Sequence, residues 1–146
     1  MVAGCSAAAA TGIDPDTLSL RLARLITKIR PGRHSGNITW LQGSAGKLPL
    51  PDASATVVWS LSAVHHWPDR PEGFAEASRV LTGGGRILIA ERLTQPGARG
   101  HAAHGLTVAQ AGQVAAELTA AGYADVRTQI IPARRRVLTI IEARKA

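Results

Sequence analysis

A single cysteine, Cys5, rules out an internal disulfide and any multi-cysteine zinc site. Free cysteine behaves as a small apolar side chain, so Cys5 reads as a bystander near the terminus. The lack of disulfides accords with a reducing, cytoplasmic setting. Aromatics are almost as scarce: Trp40, Trp59, Trp67, Phe74 and Tyr123 are the whole set, which leaves the core to Ala, Val, Leu and Ile. No apolar run reaches the roughly 18–20 residues of a membrane span, so no membrane partner is expected. The opening MVAGCSAAAATGID puts no basic leader before its small apolar run, which argues against a signal peptide.

Negative charge is also in short supply. Seventeen Lys and Arg face ten Asp and Glu, a net charge of +7. The surplus is dispersed: Arg21, Arg24, Lys28, Arg30 and Arg33 early, then Arg134, Arg135, Arg136, Arg144 and Lys145 late. No aromatic–basic alternation of the kind that stacks bases is present, so these are read as solvated faces, not as a nucleic-acid partner site. Ser60 and Ser62 lack the flanking glycines of the G-x-S-x-G hydrolase turn. Gly83-Gly84-Gly85 follows a helix and precedes a strand, the reverse of a phosphate loop, and is read as a turn.

What is present alternates strand and helix. A strand through Ala8–Ile13 runs into Asp14-Pro15, which suits a helix start, and Leu18, Leu22, Leu25, Ile26 and Ile29 then recur at helical spacing until Pro31-Gly32. Strands are expected at Ile38–Gln42, Thr56–Ser60 and Arg86–Glu91, the last two reading as buried on both faces. Helices are expected over Glu72–Leu81 and Thr107–Ala121, the second burying Val108, Ala111, Ala115 and Leu118. Two final strands, Tyr123–Ile131 and Val137–Ala143, follow with a turn around Pro132. Residues 1–146 thus read as one α/β domain, with a mostly parallel sheet, helices on both faces and an antiparallel C-terminal hairpin.

In such a sheet ligands bind at the carboxyl ends of the strands, which selects Asp14, residues 43–47, residues 60–67 and residues 91–94. Asp14 is either a helix cap, worth about 1 kcal/mol, or a carboxylate for the hydroxyls of a ribose. His65 and His66 follow a strand directly. As neighbours on regular backbone they chelate one metal poorly, and no metal is expected; a general base or a structural donor are the other readings. His101 and His104 read as solvent-facing loop residues.

Taken together, IDPD at 13–16, LQGSAGKLPLPDAS at 41–54, VVWSLSAVHHWPD at 57–69 and EASRVLTGGGRILIAE at 76–91 resemble consecutive motifs of class I S-adenosylmethionine-dependent methyltransferases. The last two blocks are the most specific, and the flavour is that of the small-molecule subgroup called type 11. The resemblance implies a Rossmann-like sheet with S-adenosylmethionine as cofactor and a small-molecule methyl acceptor as partner. Position by position, it implies Asp14 on the ribose, Ser44 and Ala45 on the adenine, and Ser60 and Leu61 along the methionine end. His66 would be the catalytic group, with His65 and Trp67 facing the acceptor. The family often has Asp where Ser44 stands, and an Asp where Thr56 stands.

One part of the pattern is missing. Such enzymes open with a strand and a glycine triplet whose backbone approaches the cofactor, whereas Gly4 and Gly12 are the only glycines before Asp14. Two readings follow: a longer form carries the triplet about 20 residues before Asp14, the separation that the fold's first unit requires, or the chain has lost the cofactor site and acts as an interaction module or an inactive relic. Without that first strand, a gap opens between the strands at 8–13 and 56–60, or the two pair directly. Exposed sheet edges then predict a homodimer or aggregation.

Overall fold

A computed structural model of the chain describes residues 9–29, 37–134 and 136–146. Cys5, Gly4, the helix stop at Pro31-Gly32, and Arg30, Arg33 and Arg135 lie outside the described residues.

The first unit is small. Strand β1 (Ala10–Asp14) leads through Pro15 to helix α1 (Thr17–Ile29) and back to β2 (Ile38–Gln42), which pairs parallel with β1. The helix start falls one turn feature later than Asp14-Pro15 suggests. Asp16 accepts from the Ser19 N–H at 2.8 Å, so Asp16 satisfies the first turn of the helix. Those Ser19 hydrogen bonds, the side chain's first, hold the Asp16 carboxyl below its usual range. Gly12 stands opposite Trp40, and a Cβ there would collide with the indole. The ring fills that space, its Nε1 donating to Thr27 at 3.2 Å, while Arg24 donates to the Trp40 carbonyl at 2.8 Å. Gly12 therefore serves strand packing.

The second unit holds the core. Strand β3 (Ala55–Leu61) is followed by a 3-10 turn at Val64–His66, helix α2 (Arg70–Val80) and strand β4 (Leu81–Arg92). Helix α3 (Val108–Ala120), β5 (Tyr123–Ala133) and β6 (Arg136–Lys145) complete a sheet of order β3-β4-β6-β5. β3 and β4 are parallel; β6 runs antiparallel to both β4 and β5, which gives the C-terminal hairpin. The triple glycine is absorbed into β4 as a bulge and is not a free turn: Ala55 pairs with Leu81, but Val57 already pairs with Arg86, and Gly84 takes φ +71°. Pro132 sits inside β5 opposite Val137, tolerated because β5 is an edge strand.

Capping and packing fix the two helices. Asp69 accepts from the Glu72 N–H at 2.9 Å to start α2, and Thr107 and Gln110 form a reciprocal capping box on α3. Phe74, Ala77, Val114 and Leu118 are buried in one cluster with Ile87, Ile89 and Ile141, and Arg70 grips Glu117 through two 2.7 Å bonds across α2 and α3. Tyr123 donates to the Phe74 carbonyl at 2.9 Å inside this core, where burial pushes its phenol up to about 12. Val114 takes the place expected of Val108, which is exposed at the first turn of α3.

The apolar stripe of α1 finds no cover among the described residues, and the expectation that β3 and β4 are buried on both faces fails. Leu18, Leu22, Leu25, Ile26 and Ile29 are all exposed, and α1 instead turns Leu20, Ala23 and Thr27 toward its neighbours. β3 and β4 are buried by alternation on one face only, with Trp59 and Leu61 exposed. Among the described residues, β1 pairs with β2 and β3 with β4, and β1 does not pair with β3. Apolar side chains of α1 and of β3, Trp59 and Leu61 among them, are left exposed in this arrangement.

Candidate active site

The inner face of the four-stranded sheet is apolar until the carboxyl ends of β3 and β4, where it turns polar. Ser60, Glu91, Thr94 and Thr139 are the buried polar side chains among the described residues, and all belong to this end. The register explains the grouping: Ser60 pairs with Ile89, two residues before Glu91, and Glu91 pairs with Thr139. The Ser60 and Thr139 hydroxyls have no hydrogen-bond partner. A buried polar atom left in this state costs on the order of 1–3 kcal/mol, which marks a place where a ligand or water belongs.

Glu91 organises what lies above it. One carboxylate oxygen accepts from the Val64 N–H at 2.8 Å and the other lies 2.8 Å from His65 Nδ1. In the neutral imidazole, a hydrogen bond to a carboxylate places the proton on Nδ1 and leaves the lone pair on Nε2. That Nε2 is itself buried and unpartnered. Ser62, at φ +52°, turns the chain out of β3 into the 3-10 segment, a left-handed conformation uncommon outside glycine. His66 is exposed, its ring 3.9 Å from that of His65, and His104 arrives from the β4–α3 segment with its ring 5.9 and 5.5 Å from the two. Trp67 leans the other way: it packs 5.6 Å from Phe74 and over Gly73, half-buried against the core.

The remaining candidates occupy the loops. Asp14 closes β1 and accepts from the Asp16 N–H at 2.8 Å through one oxygen, which leaves the other without a hydrogen bond among the described residues. Ser44 is exposed and Ala45 half-buried in a turn closed by Lys47 N–H on the Ser44 carbonyl at 3.1 Å. This turn is strapped to α2. Gly46 abuts the Glu72 carboxylate, and Glu76 accepts from the Leu48 N–H at 2.9 Å. Arg79 binds the Leu48 and Leu50 carbonyls at 3.0 and 2.9 Å, and Asp52 at 2.6 Å. The Arg79 guanidinium, helped by the Leu48 N–H, draws the Glu76 carboxyl down to about 2.

The sequence pointed to residues 91–94 as an edge segment without giving Glu91 a role; an acid that closes an apolar strand was the available signal. His104 carried no local signal, because only the fold brings it to His65.

The comparisons with known proteins meet this geometry. A family profile described as Methyltransferase domain matches residues 2–89, more than half of the chain. The 27-O-demethylrifamycin SV methyltransferase of Amycolatopsis mediterranei is 42% identical over 69 residues, 47% of this chain and 25% of that protein. A ubiquinone/menaquinone biosynthesis C-methyltransferase of Caulobacter vibrioides is 35% identical over 111 residues, 73% of this chain and 44% of that one. The chain thus spans between a quarter and under half the length of these curated relatives. Among solved structures, the cyclase SpnF superposes with a TM-score of 0.74 at 17% identity, over 92% of this chain and 66% of that one. The fold and the family agree: the chain belongs to the class I S-adenosylmethionine-dependent methyltransferases, in the type 11 family.

Proposed function

We propose that this chain forms the adenosine and acceptor side of a methyltransferase that binds S-adenosylmethionine and passes its methyl group to a small molecule by direct displacement. The observation that carries the reading is the unpartnered, buried Ser60 hydroxyl at the carboxyl end of β3, where a family member would receive the cofactor. When bound, the cofactor supplies an electrophilic methyl on a sulfonium. The residues here fit the adenosine half: Asp14 offers a carboxylate oxygen to a ribose, Ser44 and Ala45 stand on a braced turn suited to an adenine edge, and Ser60 and Leu61 border the methionine end.

The protein's work in such a reaction is holding and drying. Arg79 fixes the turn that carries Ser44 and Ala45. His66, exposed beside the polar sheet end, takes a proton from the acceptor; His65 is held by Glu91 and shapes the wall. Trp67 is half-buried against Phe74 and Gly73, and only its solvent-facing part is left to meet an acceptor.

Calorimetric titration of S-adenosylhomocysteine into the folded protein tests this. Binding that falls about 10–100-fold in Asp14→Ala supports the reading, as expected for a lost hydrogen bond to a charged group. No heat from a folded sample overturns it. A second reading, an interaction module, is favoured by the exposed leucine stripe of α1 and the edge of β3 that is unpaired among the described residues.

A further inference from the structure

We propose that His65, His66 and His104 form a binding site for a divalent cation of the zinc class, oriented by Glu91. One ligand nitrogen from each ring lies within 4.8 Å of the others. Adjacent histidines on regular backbone diverge, but Val64–His66 is a 3-10 turn that brings the two rings to 3.9 Å. The third ring comes from Gly100–His104, a segment tied down by Arg92, which donates to the His101 carbonyl at 3.1 Å.

His65 supplies the strongest argument. Its Nδ1 is engaged by a fully buried carboxylate, whose second oxygen is pinned by the Val64 N–H. The remaining nitrogen, Nε2, is buried and has no partner. A carboxylate–histidine pair with its outer nitrogen unsatisfied is the arrangement in which a metal-binding imidazole is held. Three imidazoles without oxygen donors select zinc-like ions over magnesium or calcium. Tetrahedral coordination with Zn–N near 2.0–2.1 Å sets nitrogens about 3.3 Å apart, so the widest pair has to close by no more than about 1.5 Å. His66 and His104 are exposed and can rotate, while His65 stays fixed. Three ligands leave a fourth position open to water or to an oxygen of a bound molecule.

The inference goes beyond methyl transfer and does not depend on it. Where both hold, His66 would serve the metal as a ligand, and a hydroxide at the open position would take the acceptor's proton and become water. His101, stacked 5.8 Å from His104, is outside the set and serves as a control.

The experiment is calorimetric titration of zinc chloride into the untagged, chelator-stripped 146-residue protein, with cobalt(II) as a spectroscopic substitute. One equivalent of zinc should bind, and cobalt should show the intense visible bands of tetrahedral coordination. His104→Ala, at an exposed position that spares the core, should weaken zinc at least about 100-fold. Glu91→Gln should weaken it about 10–100-fold, and His101→Ala should leave it unchanged. Circular dichroism on each variant confirms folding. No uptake by the folded wild type at micromolar zinc, with water alone on His65 Nε2, overturns the proposal. So does unaltered binding in His104→Ala, or a weak octahedral cobalt spectrum. S-adenosylhomocysteine titrated into the same sample keeps failure of the metal site distinct from failure of the cofactor reading.

Discussion

The two halves of this molecule carry equally regular apolar patterns and reach opposite fates. From Val64 to Ala143, side chains spaced for one face of α2, α3 and the sheet close into a core in which Phe74, Leu118 and Ile141 are fully buried. Among the described residues of the β1–α1–β2 unit, Leu20 is the buried apolar side chain, while Leu18 and Ile29 stand 68% and 67% exposed. The repeat 18, 22, 25, 29 is as good a helical stripe as 111, 114, 118. Periodicity makes the helix; a partner surface makes the core. A two-stranded sheet is too small to supply that surface, whereas four strands with two helices suffice.

The sharpest way to break this comparison is to delete a large side chain from each half. Phe74→Ala opens a cavity under α2 and should cost about 3–5 kcal/mol in urea denaturation. Leu22→Ala, at an exposed position, should change stability by less than about 0.5 kcal/mol. Similar losses from both would mean that α1 is covered in solution, and the contrast would fall.

The same distinction sets how much could be read from the chain alone. Strand and helix order was legible because β-branched runs at 38–42 and 56–60 and capping residues such as Thr107 act locally. The family was legible because HHWPD and RVLTGGG are specific strings. Whether the α1 stripe is covered is not legible, since amphipathicity reports a face and not what lies opposite. Pro132 was read as a turn because its place in an edge strand depends on sheet order. At the candidate site, His65 and His66 were visible as chemistry following a strand. The Glu91 clamp and the approach of His104 come from register and from a distant segment, and no spacing rule reports either.

Bare surface should also show itself as association. Among the described residues, β3 has one unpaired edge, β1 and β2 pair with each other alone, and the leucine stripe lies on the same unit as β1. Such edges and patches recruit further chains. Light scattering should find dimers or larger species, and Leu22→Lys with Leu25→Lys should weaken association about tenfold, the effect of roughly 1.4 kcal/mol of lost burial. A clean monomer of the parent chain at high concentration would mean that these surfaces are satisfied internally.

The smallest expected effect tests whether the braced loop belongs energetically to the stable half. Glu76 holds Leu48 and Arg79 and has its carboxyl lowered from 4.5 to about 2, by Arg79 first and the Leu48 N–H second. A carboxylate with a depressed folded value stabilises the protein fully above the unfolded value, and that contribution is lost as pH falls through the folded one. The window is therefore pH 4.5 down to 2. Because the pair is partly open to solvent, its worth is on the order of 1 kcal/mol. Glu76→Gln should lower stability by about that much at pH 7 and flatten the acid limb across the window. If its acid limb matches the parent's, the clamp contributes nothing to folding and serves only to hold Ser44 and Ala45 in place. Cofactor binding would then be the property that Glu76→Gln weakens.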